Sequence, residues 1–233
     1  METLATSKVS IVLYPFLNVV SVKDRIKQKA HELFMQYGLR SVTMDEIAVQ
    51  LGVSKKTIYQ YYADKDELVD AVIIEVLEHN RASCDKDRKQ AKNAVHEVFL
   101  ALDMMQEMFQ NMNPAVLHEM EKYYPKAFEK FAKHKYSFLY TVMKENIERG
   151  IAEELYRSEI DVEVHVKARL ESMMIPFSQL VFPKNKFDLI KVETELTMHF
   201  LYGLATIKGH KLITKYLQDR KNKKTNTNEK IMA

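Results

Sequence analysis

The chain contains little cysteine, glycine or proline, and each shortage argues against a class of structure. Its single cysteine, Cys84, excludes an internal disulfide and a cysteine-based zinc site, as expected for a protein of the reducing cytoplasm. Only 5 glycines and 5 prolines occur among 233 residues, which disfavours a fold of sheets and tight turns. With 46% hydrophobic residues, the composition predicts an all-α fold of long helices around a sizeable core.

The chain also lacks the long apolar segment that a membrane-spanning helix requires. The apolar run from Val9 to Val20 is shorter than the ~20 residues needed, and Pro15 and Asn18 interrupt it. Lys8 is the only basic residue before the run, whereas a secretory signal begins with a basic leader, so the run does not match such a signal. We expect residues 1–21 to be an atypical N-terminal extension, which is either the product of an upstream start site or a loosely ordered arm. Contact with a membrane is the less favoured alternative.

Patterns that support catalysis are missing as well. None of the 8 histidines follows a glutamate by three residues, which excludes the Glu-x-x-His pairs of a di-iron bundle. The chain has neither an HExxH motif nor a glycine-rich phosphate loop. In the adjacent pairs His96-Glu97 and His118-Glu119, the two side chains would diverge by about 100° on a helix. We therefore expect a protein without enzymatic activity, metal or cofactor.

Charge is distributed unevenly, although the formal net charge is only +3. Residues 22–65 contain eight Lys and Arg against five Asp and Glu, and residues 208–233 contain eight against two. The intervening residues 66–207 therefore carry the compensating negative charge. A basic segment ahead of an acidic one is typical of a protein that presents one end to nucleic acid. The polar, basic tail at residues 218–233 is expected to be disordered.

The segment from Thr43 to Lys65 has the pattern of two short helices joined by a tight turn. Its sequence is TMDEIAVQLGVSKKTIYQYYADK. Thr43 and Glu46 have the spacing of a capping box, which starts the first helix. Gly52 stands where a helix end requires a positive φ, and Ser54 can cap the second helix. This spacing predicts a helix-turn-helix motif, the element that places one helix end in the major groove of DNA.

The second helix of this motif has a cationic start and one apolar side. Lys55 and Lys56 oppose the helix dipole in its first turn, and a bound polyanion would offset that cost. Ile58 and Tyr62 are four residues apart and are expected to face the core. The side chains left for the groove and the phosphates are those of Tyr59, Gln60 and Tyr61.

These residues resemble the DNA-binding domain of the TetR family of transcriptional repressors, over about residues 24–77. The densest match is the stretch KKTIYQYYADKDELV, residues 55–69. The family pattern begins with a small or hydroxyl residue, a hydrophobe and Tyr, which correspond to Thr57, Ile58 and Tyr59. It continues with an aromatic pair and Lys-x-x-Leu, which correspond to Tyr61-Tyr62 and Lys65–Leu68. The resemblance implies a three-helix helix-turn-helix domain at 22–68 and a C-terminal helical bundle at 69–217 for effector binding and dimerisation.

Roles in DNA binding follow from position in the motif and from the resemblance. The expected partner is a double-stranded operator read by a two-fold dimer, because one recognition helix buries too little surface alone. The expected base-reading residues are Lys55, Lys56, Thr57, Tyr59 and Gln60. The residues expected at phosphates are Thr43, Ser54, Tyr61 and Lys65.

Helical periodicity continues through the rest of the chain. One long helix is predicted from Pro125 to Arg149, ended by Gly150. Two later apolar stripes run along Val162, Val166, Leu170, Met173, Phe177 and Leu180, and along Leu189, Val192, Leu196, Phe200, Leu204 and Ile207. In the TetR family the last two long helices pair with those of a second subunit, so the resemblance implies a homodimer through these stripes. An internal core would give the same pattern.

Residues 104–143 are rich in methionine and aromatic side chains, which suit a pliable cavity for a lipophilic effector. The candidate ligand-binding residues are Met104, Met108, Phe109, Met112, Tyr124, Phe131, Tyr140, Met173 and Phe177. The alternative is that these side chains only fill the core. The resemblance implies a repressor that an effector releases from DNA. The alternative function is a helical protein-interaction module without sequence-specific DNA binding.

Overall fold

The computed structural model describes residues 21–232, with side chains described as far as residue 222. Most of the predicted N-terminal extension, residues 1–20, thus lies outside the described residues. Within residues 21–232 the secondary structure is helical and contains no β-strand, which confirms the all-α fold. The helices are α1 (Val22–Tyr37), α2 (Met44–Leu51), α3 (Lys55–Tyr59), α4 (Lys65–Gln90), α5 (Ala94–Phe109), α6 (Ala115–Tyr123), α7 (Pro125–Lys133), α8 (Tyr140–Ala152), α9 (Val162–Ser172), α10 (Leu189–Leu204) and α11 (Ile207–Met232).

Helices α1 to α3 form a small bundle, which we call the head, and α5 to α11 form the body. Fully buried side chains from each head helix meet in one core: Ile26, Ala30, Phe34, Ile47 and Ile58. The helix α4 joins head and body without a break, and its residues up to Ile73 belong to the head core. The predicted boundary after residue 68 therefore falls inside a continuous helix.

The head core also includes side chains from the body. Val116, Met120 and Ala127, from α6 and α7, are buried in the same cluster. A second cluster contains buried residues of α5, α8, α9, α10 and α11. The head thus packs on the α6–α7 corner, and the remaining body helices have a core of their own. None of the described helices is both long and apolar enough to span a bilayer.

The predicted end of the long helix at Gly150 is wrong. A π-helical segment, His134–Leu139, connects α7 to α8, and α8 continues to Ala152. Gly150 lies inside α8, where a Cβ would stand 2.0 Å from Cδ2 of Tyr156. Glycine is present because the Tyr156 ring packs directly on the helix backbone.

The first of the two predicted apolar stripes does not lie on one helix. The helix α9 ends at Ser172, and a 3-10 turn at Ile175–Phe177 follows it. Pro176 lies in that turn, where its ring and missing N–H prevent a continuous α-helix. Leu180, the last predicted member of the stripe, is 94% exposed.

The second stripe is divided between two helices. The helix α10 ends at Leu204, whose carbonyl oxygen accepts a hydrogen bond from the Arg157 N–H. The Thr206 N–H then donates to the Leu155 carbonyl oxygen. Ile207 then starts α11 and is 81% exposed.

The tail predicted to be disordered from residue 218 continues instead as α11 to Met232. Its start is attached to the body, because Arg220 forms an ion pair with Asp103 of α5. The guanidinium of Arg220 also lies 5.5 Å from the centre of the Phe99 ring. Lysine, a good helix former, occurs four times among residues 218–233.

Candidate nucleic-acid interface

Local hydrogen bonds fix the helix-turn-helix. The Thr43 backbone N–H donates to Glu46 Oε2 at 2.8 Å, and the Glu46 N–H donates to Thr43 Oγ1 at 3.1 Å, which confirms the capping box. Gly52 has φ 66°, the left-handed conformation expected for it. The Thr57 N–H donates to Ser54 Oγ at 3.1 Å, which confirms Ser54 as the cap of α3. Each bond joins residues close in the chain and fixes where α2 and α3 begin.

The helix α3 buries one side and exposes the other. Ile58 and Tyr62 are 0% and 2% exposed, which confirms that they face the core. Tyr59 and Tyr61 remain 43% and 38% exposed. Lys55, Lys56 and Gln60 are exposed beside them, as are Thr43 and Ser54, and Thr57 is half-buried. Seven of the nine predicted DNA contacts are thus exposed on the helix-turn-helix, and Thr57 and Lys65 are half-buried.

Lys55 has a partner that the sequence did not reveal. Its Nζ forms an ion pair with the Asp45 carboxylate of α2 at 2.9 Å. The hydrogen bond to Asp45 raises the pKa of Lys55, so the side chain is cationic near neutral pH. Exposed ion pairs contribute little to stability, so exchanging Asp45 for a phosphate oxygen would cost the protein little.

The ammonium group of Lys65 does not lie on this surface. Lys65 Nζ donates to the Arg40 carbonyl oxygen at 3.2 Å and lies 5.9 Å from the centres of both the Phe34 and Tyr124 rings. Burial lowers the pKa of Lys65. We therefore reassign this side chain from phosphate contact to the junction between head and body, because its ammonium points between helices.

The same junction contains several contacts that sequence reasoning missed. The Arg40 N–H donates to Glu119 Oε2 at 2.9 Å, and the Arg40 guanidinium stacks 5.2 Å from the centre of the Tyr123 ring. The Tyr124 hydroxyl donates to the Leu39 carbonyl at 3.4 Å. The turn between α1 and α2 is therefore tied to the α6–α7 corner. A displacement of that corner would be transmitted to the head.

The nine predicted effector-binding residues do not all pack against the same core. Met112, Tyr124 and Phe131 pack against the head core, whereas Met104, Phe109, Tyr140 and Met173 pack against the body core. Met108 is 38% exposed, and Phe177 packs edge-on against Phe109 with ring centres 5.3 Å apart. The predicted residues are therefore divided between the two cores.

A narrow, partly open cleft lies between α5 and α10, and Phe109 is the predicted residue that lines it. Its other lining residues are Leu102, Met105, Gln106, Ile190, Glu193 and Thr194. The conformation described leaves no room in it for a water molecule. Any ligand there requires the α5 side chains to move.

The head and its exposed α3 define a helix-turn-helix protein with a helical body. Residues 26–72 match the family model described as bacterial regulatory proteins, tetR family. The head therefore matches the DNA-binding domain of the tetR family of bacterial regulatory proteins.

Individual relatives agree with this assignment. The chain is 30% identical over 125 residues to the uncharacterized HTH-type transcriptional regulator YvaF of Bacillus subtilis, a match that covers 52% of this chain and 65% of YvaF. The matched region is thus slightly less than two thirds of that relative.

Solved structures share the fold at low identity. A TetR-family regulator from Agrobacterium tumefaciens superposes with a TM-score of 0.67 at 14% identity, covering 79% of this chain and 97% of that one. The regulator FadR from Bacillus subtilis, solved in complex with stearoyl-CoA, has a TM-score of 0.59 at 17% identity and covers 77% of this chain and 98% of its own.

Proposed function

We propose that this protein binds a double-stranded DNA operator as a homodimer, represses transcription there, and is released by a small lipophilic effector. The observation that carries the proposal is the accessible amino end of α3. Lys55 and Lys56 are exposed at that end, while Ile58 anchors the helix in the head core. A rigidly held, cationic helix end is what insertion into the major groove requires.

A second copy of the chain is the expected partner of the body. Several apolar side chains on and between α9 and α10 are exposed in the single chain: Val164, Ile175, Leu180, Val181 and Phe187. Gly203, near the end of α10, has no atom within 4 Å of the position that a Cβ would occupy. An exposed apolar face of this kind supports association with an identical face across a two-fold axis.

Release by an effector is supported by the connections between body and head. The helix α4 contributes to the head core and then continues into the body, and the α6–α7 corner holds the α1–α2 turn. A molecule that enters the methionine-rich interior would push on these elements. FadR, which has the same fold, was solved with the long acyl group of stearoyl-CoA, which favours a lipophilic effector here as well.

Lys56→Ala should weaken operator binding and change the preferred base at one position of each half-site. A good lysine or arginine contact to guanine contributes about 1–3 kcal/mol of discrimination, which corresponds to a loss of roughly 5- to 150-fold. In vitro selection of operator sequences, followed by fluorescence anisotropy, measures both effects. Lys144→Ala is the control, since it removes the same charge from an exposed site on α8. Identical motifs and affinities for the two variants would contradict direct readout by α3.

The alternative function makes a different prediction for the unmodified protein. A helical interaction module would select no consensus sequence, and its affinity for random DNA would equal that for any candidate operator. Such a result would exclude sequence-specific operator binding by this protein, regardless of the affinities measured for the variants.

Gly203→Arg should convert dimers to single chains. A long cationic side chain at an apolar contact cannot be buried without a partner, so the interface should open. Light scattering at micromolar concentration gives the molar mass directly. Val49→Arg is the control, because Val49 is 78% exposed on α2 of the head. The proposed dimer interface is wrong if the Gly203 variant keeps the mass of the unmodified protein.

A further inference from the structure

His134 is a buried side chain in the body with an unused hydrogen-bonding atom. Its side chain is 3% exposed, and its Nε2 lies 2.7 Å from Oδ1 of Asn80 on α4. Its other ring nitrogen, Nδ1, is buried and has no hydrogen-bond partner among the described residues. A buried polar atom without a partner destabilises the folded chain, so its presence calls for an explanation.

The neighbours of Asn80 determine which nitrogen of His134 carries the proton. The Asn80 Nδ2 group donates to Met104 Sδ at 3.8 Å, which leaves Oδ1 facing His134. Because a carbonyl oxygen only accepts, Nε2 carries the hydrogen and Nδ1 has a bare lone pair. The Cys84 thiol lies 3.9 Å from the same oxygen, and burial raises the pKa of Cys84 to about 11, so that it also remains a donor.

The imidazole of His134 is uncharged near neutral pH. Burial, together with the nearby Arg81 cation, lowers the pKa of His134 to about 4. A neutral ring with a bare Nδ1 accepts hydrogen bonds from hydroxyl and N–H groups. A carboxylate has no proton to donate to a bare Nδ1.

Apolar and adaptable side chains lie beside His134, together with the Arg81 cation, whose guanidinium lies 4.6 Å from the centre of the Phe138 ring. The Phe138 ring centre lies 5.0 Å from that of the imidazole, and the flexible Met104 side chain borders Asn80. His134 also begins the π-helical segment that joins α7 to α8. Such segments occur frequently at functional sites, because the extra residue redirects side chains from the regular helical face.

We propose that His134 Nδ1 is the hydrogen-bond acceptor for the effector, and that the effector is an uncharged, largely apolar molecule with one hydroxyl or N–H donor. This proposal rests on the proposed function and specifies its ligand. The bound group would lie next to Asn80 on α4, the helix that contributes to the head core. Met104 would turn aside to admit it.

Three probes of one shape test the ligand class: 1-naphthol, naphthalene and 1-naphthoate, titrated into the full chain without DNA. We expect 1-naphthol to bind about tenfold more tightly than naphthalene, the effect of one net hydrogen bond. We expect 1-naphthoate to bind no more tightly than naphthalene. In His134→Phe the preference for 1-naphthol should disappear, while naphthalene binding persists. An equal preference in the variant, or none in the unmodified protein, would overturn the assignment.

A measurement on the unmodified protein keeps the proposal testable if His134→Phe fails to fold. In ¹⁵N NMR spectra, 1-naphthol should shift the Nδ1 resonance of His134 and leave the exposed His118 unchanged. No shift at His134 in the presence of saturating 1-naphthol would exclude Nδ1 as the acceptor. Because neither experiment contains DNA, failure here leaves the operator-binding tests unaffected, and loss of DNA binding does not alter the probe selectivity.

Discussion

Replacing Arg169 with methionine should lower the free energy of unfolding by about 3–5 kcal/mol. The Arg169 guanidinium of α9 donates to Glu193 Oε1 and Thr197 Oγ1 of α10, each at 2.6 Å. The side chains of Arg169 and Glu193 are 5% and 3% exposed. Removing the cation leaves the Glu193 carboxylate buried without a counter-charge, which is the origin of the large effect.

Chemical denaturation at fixed protein concentration measures this loss, since dimerisation makes stability concentration-dependent. Lys167→Met is the matched control, because Lys167 lies on the same helix and pairs with Glu163 at 2.6 Å with both side chains largely exposed. The control should show no measurable loss. Adding Glu193→Leu to Arg169→Met should restore most of the stability, because an apolar pair needs no counter-charge. A double variant as unstable as the single one would contradict this account.

The accuracy of the sequence-based predictions depends on how far apart the interacting residues lie. The caps at Thr43 and Ser54 involve partners three residues away, so the residue types alone specify them. The left-handed conformation of Gly52 is likewise a local property. These features set the shape of the helix-turn-helix, which is why its geometry was predictable residue by residue.

Contacts between distant residues were not predictable in the same way. Lys65 was assigned to phosphate because it is a cation at a helix start, but its ammonium group donates a hydrogen bond to the Arg40 carbonyl oxygen. Glu119 lies 79 residues from its partner Arg40 and resembles any surface glutamate in the sequence. The residue type determines which groups a side chain can form hydrogen bonds with. The packing of α6 on the head determines which of these groups lies within hydrogen-bond distance.

The predicted effector-binding residues are divided between two cores for a different reason. Methionine and aromatic side chains at helical spacing fill a core and line a cavity equally well, so composition could not separate the two. Phe131 and Tyr140 pack against different cores, although both belong to the same methionine- and aromatic-rich stretch of sequence. His134, between them, is 3% exposed, and its residue type alone did not indicate burial.

Gly150→Ala should lower the free energy of unfolding by roughly 1–3 kcal/mol or more, although alanine is the better helix former. The added Cβ would stand 2.0 Å from Cδ2 and 2.2 Å from Cε2 of the Tyr156 ring. That ring cannot retreat easily, because Tyr156 is 1% exposed and its hydroxyl bonds to Asn146 Oδ1 at 3.3 Å. Asn146 in turn donates to the Ala94 carbonyl at 3.0 Å. The clash therefore spreads to the contact between α8 and α5.

A double-mutant cycle separates the clash from helix propensity. Tyr156→Ala alone should cost about 3–5 kcal/mol, as expected for deleting a buried aromatic ring. In that background the Cβ of Gly150→Ala meets no ring, so the same substitution should become stabilising by up to about 1 kcal/mol. The predicted change of sign is the decisive observation. If Gly150→Ala destabilises both backgrounds equally, some property of α8 other than its contact with Tyr156 requires glycine at this position.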